Sequence, residues 1–261
     1  MKIIITGASS GIGEHLFRVL VDHELWGVGR RELAASAVPQ TRRYDRCDLT
    51  DWEQVSRLAQ DVRSSWSNLD GLIHCAGTQG SIGPAMNLDA GEWVNAVRAN
   101  IEPAFYVIKA FYPLLVERSS SRAKLILFSG GGASKARPNF SAYACAKTAL
   151  VRLTETLAQE WDGYPIDVNI IAPGAINTNM TQEVARAGPE RAGAAEYRRA
   201  IHQLKHGADS IEKVIQLVRF LLAADSDGIS GKFLSAQWDS LDALREIVRT
   251  RSDAFTLRRL T

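Results

Sequence analysis

A short apolar strand that runs straight into a glycine turn and then a helix constrains this chain more than any other feature. Lys2 to Thr6 is apolar and β-branched, the pattern of a strand buried on both faces. It enters Gly7-Ala8-Ser9-Ser10-Gly11-Ile12-Gly13 without a spacer, and Ile12, Leu16, Val19 and Leu20 then recur at helical spacing. That succession places backbone N–H groups at a helix N-terminus, where a phosphate is favoured. Gly7 permits the tight turn, Gly11 lets the chain approach a pyrophosphate, and Gly13 lets the helix pack on the strand. The segment reads as a dinucleotide cradle that also includes Thr6, Ser9, Ser10 and Ile12.

Leu25 to Gly29 reads as a second strand, with Arg30 and Arg31 directly after it. At this place a carboxylate would bond the adenosine ribose, whereas a basic side chain accommodates a 2′-phosphate. Gly29 followed by Arg30, with no carboxylate, favours NADP(H) over NAD(H). Arg43 to Cys47 is a third strand ending at Asp48-Leu49, and Val55, Leu58, Ala59 and Val62 give a helix over 51–66. A fourth strand spans Leu69 to Ala76 and stops at Gly77, with His74 as a structural hydrogen-bonding residue. A long helix over 92–117 is expected to turn Val94, Val97, Ile101, Phe105 and Ile108 inward and to kink at Pro103. Asn100 sits mid-helix, where asparagine is a mediocre choice, so it is assigned a local hydrogen-bonding task.

A fifth strand, Lys124 to Phe128, leads into Ser129-Gly130-Gly131-Gly132, at the edge where an open α/β sheet places its ligand. Ile166 to Ile171 is a sixth strand, closed by Ala172-Pro173-Gly174-Ala175-Ile176-Asn177-Thr178. Strands and helices alternating in this way predict one α/β domain over 1–238, a doubly wound parallel sheet with helices on both faces. The excursion 179–207 has weak helical periodicity around Glu196 to Leu204 and is expected to be a substrate lid. A helix over 210–224 and a last strand over 231–236 precede a charged tail, 239–261, with helical spacing from Leu241 to Val248. The tail arginines Arg245, Arg249, Arg251, Arg258 and Arg259 would either meet an anionic substrate or a neighbouring subunit, or form a solvated surface.

The stretch Ser141-Ala142-Tyr143-Ala144-Cys145-Ala146-Lys147 carries the chemistry. Leu150, Leu153, Leu157 and Trp161 make it helical, so Tyr143 and Lys147 share a face one turn apart. A phenol with a reference pKa of about 10 exchanges protons poorly near neutrality, and an ammonium beside it favours the phenolate. The pair reads as one tuned acid/base for a carbonyl or alcohol oxygen. A net charge of +2 gives no reason to expect nucleic acid or a membrane as partner, and no apolar run is long enough to span a bilayer. Met1 to Ile5 is too short for the core of a signal peptide. Cys47, Cys75 and Cys145 suggest neither a metal site nor a disulfide framework, so a reducing, cytoplasmic setting is expected.

Taken together, these motifs resemble the short-chain dehydrogenase/reductase family from Lys2 to about Asp239. Thr6-Gly7-Ala8-Ser9-Ser10-Gly11-Ile12-Gly13 is similar to its cofactor motif, and Cys75-Ala76-Gly77 to the end of its Asn-Asn-Ala-Gly turn. Asn100, Tyr143 and Lys147 match three members of its catalytic tetrad. The resemblance implies a Rossmann-type fold, a nicotinamide cofactor and a homodimer or homotetramer. It also implies an adenine contact from Asp48, with Leu49 beside it, and nicotinamide contacts from Pro173, Gly174, Ile176 and Thr178. Tyr143 would exchange the proton, Lys147 would assist it and bind the nicotinamide ribose, and Asn100 would hold a relay water.

Two departures stand out. His74 replaces an asparagine, and the place of the family's catalytic serine, thirteen residues before the tyrosine, is Gly130. Ser129 is one residue early, on the other face of a strand unless the glycines bulge to bring it round. Ser141 reads as a helix N-cap. The expected function is therefore hydride transfer between the nicotinamide and a carbonyl or secondary alcohol on a small molecule. A keto-sugar or sugar-nucleotide precursor is suggested by analogy with the Trp238-Asp239 ending. The alternative is a dinucleotide-binding sensor or scaffold with impaired catalysis, and a third is epimerisation or dehydration through a transient ketone.

Overall fold

The computed structural model describes residues 1–33, 42–117, 121–250 and 254–257, with backbone alone over 247–250. Seven parallel strands are described: β1 (Lys2–Thr6), β2 (Glu24–Gly29), β3 (Arg42–Arg46), β4 (Gly71–His74), β5 (Ala123–Phe128), β6 (Ile166–Ala172) and β7 (Lys232–Ser235). Their order is β3-β2-β1-β4-β5-β6-β7, so the winding direction reverses between β1 and β4. A crevice opens there outside the carboxyl ends of the strands, the usual ligand position in such sheets.

Alternate residues of the strands feed two apolar layers, as a sheet covered on both faces requires. Ile4, Leu72, Leu125, Leu127, Val168 and Ile170 pack in one layer, against α2 (Trp52–Ser65), α3 (Ala90–Val116) and α4 (Ser141–Glu160). Ile3, Ile5, Ile73, Ile126, Phe128 and Ile171 pack in the other, against α1 (Gly11–Val19) and α7 (Ile211–Leu222). Asp51 caps α2 by accepting from the Glu53 and Gln54 backbone N–H groups, an arrangement worth about 1 kcal/mol. At the amino edge of the sheet, Asp167 is fully buried and accepts from Arg122 Nε at 2.8 Å and Lys124 Nζ at 2.9 Å, tying β5 to β6.

Some expectations need correction. α3 is continuous from Ala90 to Val116 with Pro103 and Pro113 inside it, and Pro103 is buried. The buried face of α3 is Ala96, Asn100, Pro103, Ala104, Val107, Ile108, Phe111, Leu114 and Leu115, while Val94 and Phe105 point outward. Residues 179–206 are more helical than their weak periodicity suggested. They form α5 (Asn179–Ala192) and α6 (Ala194–His206), which pack closely on each other, with a left-handed Gly188 before Pro189 bending α5. The helix α8 (Leu241–Thr250) begins where expected. Arg251, Arg258, Arg259 and the side chain of Arg249 lie outside the described residues, and Arg245 pairs with Asp242 at 2.8 Å. No described helix is long and apolar enough to cross a membrane.

Candidate active site

The glycine turn is built by backbone crowding at the reversal point. Gly7 has φ +69, and a Cβ there would lie 2.9 Å from the Ala76 nitrogen, so the turn leans directly on the end of β4. A Cβ on Gly13 would strike the Gly7 carbonyl. Thr178 closes over the turn, its Cγ2 3.3 Å from where a Gly11 Cβ would stand. Ser10 occupies the N-cap of α1 without bonding it through its side chain, so the first-turn N–H groups of α1 face the crevice. This arrangement fits a pyrophosphate.

At the carboxyl end of β2, a Cβ on Gly29 would fall 2.6 Å from the Tyr44 hydroxyl and 2.7 Å from Ser9 Oγ. No carboxylate can occupy that place; two hydroxyls do, with exposed Arg30 next in the chain. Tyr44 donates to the Arg31 carbonyl at 2.5 Å. Burial pushes its phenol up, and the bond to Ser9 opposes that shift. Tyr44 was not singled out from sequence, although an aromatic alternating with charges in Arg42-Arg43-Tyr44-Asp45-Arg46 is a signal of an inward position. Asp48 accepts from the Thr50 amide at 3.0 Å and hydroxyl at 2.8 Å, which fixes the corner after β3, and Leu49 is buried in the core.

Lys147 and Asn100 meet from α4 and α3 at the end of β4, while the Tyr143 ring lies beside Lys147 and its hydroxyl against Gly130. All three are at least 95% buried, and a Cβ on Gly77 would lie 3.0 Å from Asn100 Oδ1 and 3.3 Å from Lys147 Nζ. Asn100 accepts from the Thr78 amide at 3.2 Å and donates to the Thr78 carbonyl at 3.0 Å and the Ala96 carbonyl at 2.9 Å. It therefore clamps the loop that carries Cys75-Ala76-Gly77. Lys147 Nζ donates to the Phe128 carbonyl at 3.0 Å and stands 5.6 Å from the centre of the Tyr143 ring. Pro173 and Gly174 are held by Gln237, which donates to the Pro173 carbonyl at 2.8 Å; Ile176 is buried beside them.

Burial works on the tyrosine and the lysine in opposite directions. Burial brings the Lys147 ammonium down to about 8, with Cys75 opposing it, and pushes the Tyr143 phenol up to about 12, with the Arg137 guanidinium opposing it. Desolvation is the largest influence on each group, and with a value of about 8 Lys147 still holds its proton at neutral pH.

Gly130, not Ser129, faces the tyrosine. A Cβ on Gly130 would overlap the Tyr143 hydroxyl oxygen and lie 3.0 Å from Cζ, so the phenol fills the space a serine there would need. Ser129 is buried, and its Oγ makes no hydrogen bond among the described residues; the glycines do not bring it round to Tyr143. Ser141 is not the N-cap of α4 either. Phe140 holds that place, and Ser141 Oγ accepts from the Trp93 indole at 2.9 Å. Arg137, in the loop before α4, was missed; its only sequence signal is a cation four residues ahead of the helix that carries the tyrosine. Its guanidinium lies 3.8 Å from the centre of the Phe140 ring and 5.7 Å from that of Tyr143. α5 and α6 complete the surroundings by packing Val184, Ala192 and Ala200 with Ile82 and Phe140 around the Tyr143 ring.

His74 is structural, as expected. Thr6 Oγ1 lies 2.9 Å from His74 Nδ1 and 3.4 Å from the Ala76 amide. With one proton and two lone pairs, the Thr6 hydroxyl meets the amide and Nδ1 together, whichever ring nitrogen carries the proton. Burial, and secondarily Lys147, brings the imidazole down to about 3.

Two predictions follow from this geometry. Unfolded His74 takes up a proton below about pH 6.5 while the folded residue does not, so its contribution to stability is complete above that pH and is lost as pH falls toward 3. His74→Asn should lose up to about 2 kcal/mol less stability than wild type between pH 7 and pH 5, read from urea unfolding. Gly130→Ser should destabilise the fold by about 1–3 kcal/mol through overpacking against Tyr143. An unchanged urea midpoint would show that the phenol moves aside at no cost.

Comparison with known proteins follows the same lines. The family model described as short chain dehydrogenase matches residues 1–188. Oxidoreductase UcpA of Salmonella typhimurium is 30% identical over 250 residues, covering 87% of this chain and 89% of that protein. Galactitol 2-dehydrogenase (L-tagatose-forming) of Cereibacter sphaeroides is 31% identical over 196 residues, covering 71% of this chain and 75% of that protein. Among solved structures, a short chain dehydrogenase of Escherichia coli CFT073 complexed with NADPH superposes with a TM-score of 0.75 at 26% identity, covering 90% of this chain and 96% of that one. The crevice between β1 and β4, the helix pair that meets at Gly77 and the extent of the sequence match agree: the chain belongs to the short-chain dehydrogenase/reductase family.

Proposed function

We propose that this protein is an NADP(H)-dependent oxidoreductase that exchanges a hydride between the nicotinamide and a carbonyl or secondary alcohol, with a keto-sugar or polyol as substrate. The observation that carries the reading is the meeting of Lys147 and Asn100 at Gly77, with Tyr143 buried beside Lys147 on α4, next to a crevice shaped for a pyrophosphate. When bound, the cofactor supplies or accepts the hydride. Tyr143 gives its hydroxyl proton to the substrate oxygen in reduction and takes the alcohol proton in oxidation. Lys147 holds the nicotinamide ribose, and the turn from Pro173 through Gly174 and Ile176 to Thr178 holds the nicotinamide. Cys75, Ala76 and Gly77 line the floor, and Asp48 and Leu49 border the adenine.

NADP is favoured because the Gly29 place is filled by the Ser9 and Tyr44 hydroxyls, with Arg30 alongside to meet a 2′-phosphate. A sugar substrate is supported by the galactitol dehydrogenase relative, and the α5–α6 pair serves as the lid that keeps water from Tyr143. The outward Val94 and Phe105 of α3, 41% and 46% exposed, supply an apolar face for a homodimer or homotetramer. The reading as a dinucleotide sensor is favoured by one observation: the phenol occupies the space of the absent serine, so the substrate oxygen has one donor fewer. Loss of such a donor slows a reaction by about 10²–10³ without abolishing it.

The test is titration with NADPH and NADH by nicotinamide fluorescence, followed by turnover on a panel of hexitols and keto-hexoses. Wild type should bind NADPH more tightly than NADH, and Arg30→Ala should weaken NADPH by about tenfold, roughly one charged hydrogen bond, while sparing NADH. Tyr143→Phe should lower turnover by about 10²–10⁴, the usual worth of a general acid. NADH binding that is tighter and indifferent to Arg30 would overturn the NADP preference. NADPH binding with no turnover across the panel would favour the sensor.

A further inference from the structure

The sheet ends at β7, and an edge strand turns the N–H and C=O groups of alternate residues toward any chain that can lie alongside. Lys232 and Ala236 turn their N–H groups to β6, where they meet Asn169 Oδ1 at 3.1 Å and the Ala172 carbonyl at 3.0 Å. Phe233 and Ser235 therefore face outward, and both of their donors are already taken from within the chain. Ser235 N–H donates to Asp239 Oδ2 at 2.6 Å, and Asp239 N–H returns a bond to the Ser235 carbonyl at 3.0 Å. Phe233 N–H donates to the Phe255 carbonyl at 2.7 Å. The segment that supplies this carbonyl is held on either side. Lys232 Nζ donates to the Ala254 carbonyl at 3.1 Å. Leu257 N–H donates to Glu155 Oε1 at 2.7 Å, and Arg152 donates to the Leu257 carbonyl at 3.0 Å. Arg152 and the buried Glu155 also pair with each other at 2.5 Å. Phe255, left-handed at φ +63, packs with the layer against α1 and α7, and Leu257 packs with the layer against α4. The segment thus crosses the sheet edge and joins both layers.

We propose that residues 254–257 are an intramolecular cap on β7 that shuts this edge to a second copy of the chain, so that self-association runs through the outward face of α3 alone and gives a homodimer. A second copy is the partner the cap excludes, because a bare edge is complementary to itself. Two β7 strands related by a twofold axis can lie antiparallel, each offering the outward groups of Phe233 and Ser235 to the other. The cap occupies the Phe233 end of that register. Asp239 occupies the other end, and its carboxylate would be brought toward its own copy across the axis, a charge placed where edge pairing would bury it. The far edge of the sheet is guarded by charge, since β3 reads Arg42-Arg43-Tyr44-Asp45-Arg46. The Arg152–Glu155 pair on α4 is the latch: it takes both the N–H and the carbonyl of Leu257, two residues beyond the carbonyl taken by β7, which is the spacing at which an added strand engages its host.

The choice of a homodimer rests on the α3 face proposed above as the self-association surface, whereas the cap does not, and the test separates them. In the full chain, the Phe233 amide should exchange with solvent at least about a hundredfold more slowly than an unstructured amide. Exchange at the unstructured rate overturns the cap. Light scattering should give the full chain the mass of two copies, and a chain ending at Asp253 about twice that mass, or a mass that climbs with concentration, as bared edges pair. A shortened chain that keeps the mass of the full chain at every concentration overturns the exclusion. Should circular dichroism show the shortened chain unfolded, Arg152→Ala decides: losing one charged hydrogen bond at the latch should speed exchange at Phe233 by about tenfold. An unmoved rate overturns the cap. Phe105→Glu should reduce the full chain to a single copy. A full chain of one copy or four, or one that Phe105→Glu leaves at two, sinks the α3 homodimer while exchange at Phe233 still reports on the cap.

Discussion

The close approach of the β1–α1 turn to the end of β4 is the constraint on which the site depends. Gly7 lies within a hydrogen atom's reach of the Cys75–Ala76 peptide, and only a residue without Cβ, at positive φ, permits it. Because the two strands pair in parallel from Ile3 to Thr6, that contact brings the turn and the 75–77 segment to the same edge of the sheet. Asn100 then fixes Thr78 from α3, and α4 sets Lys147 and Tyr143 above. Each element reaches the crevice through a backbone contact, so the placement of the chemistry is a property of the sheet more than of any loop.

Burial decides the electrostatics of the crevice. A phenol, an ammonium, a thiol and an imidazole lie in one enclosed volume, and each is driven toward its neutral form, as low dielectric requires. Lys147, with a value of about 8, still holds its proton at neutral pH.

The parts of this arrangement legible in sequence are those fixed by short-range rules. The apolar runs of β1, β5 and β6 fixed the buried sheet, the glycine spacing fixed the first turn, and the i, i+4 relation put Tyr143 and Lys147 on one face. What escaped depends on neighbours distant in the chain. Tyr44 faces Ser9 because β3 pairs with β2, which no local pattern in a charged strand announces. Arg137 meets Glu196 across fifty-nine residues. The inward face of α3 was misread at Val94 and Phe105 because hydrophobicity alone does not tell a core face from an outward apolar one. Pro103 lies inside α3 without ending it, because core contacts on either side hold the helix across the lost hydrogen bond.

Gly130 is best understood through what it admits. A side chain there would displace the Tyr143 hydroxyl, and the adjoining Gly131 and Gly132 leave space that Arg137 occupies. The same three glycines that remove a hydroxyl donor therefore allow a phenol to sit deep and a guanidinium to approach its ring. A serine offers one neutral hydrogen bond, sensitive to distance and angle. The Arg137 guanidinium is partly exposed and paired with Glu196, so water and the carboxylate damp its field at the phenol. The site therefore gives up a directional contact with the substrate oxygen and gains a more deeply seated phenol.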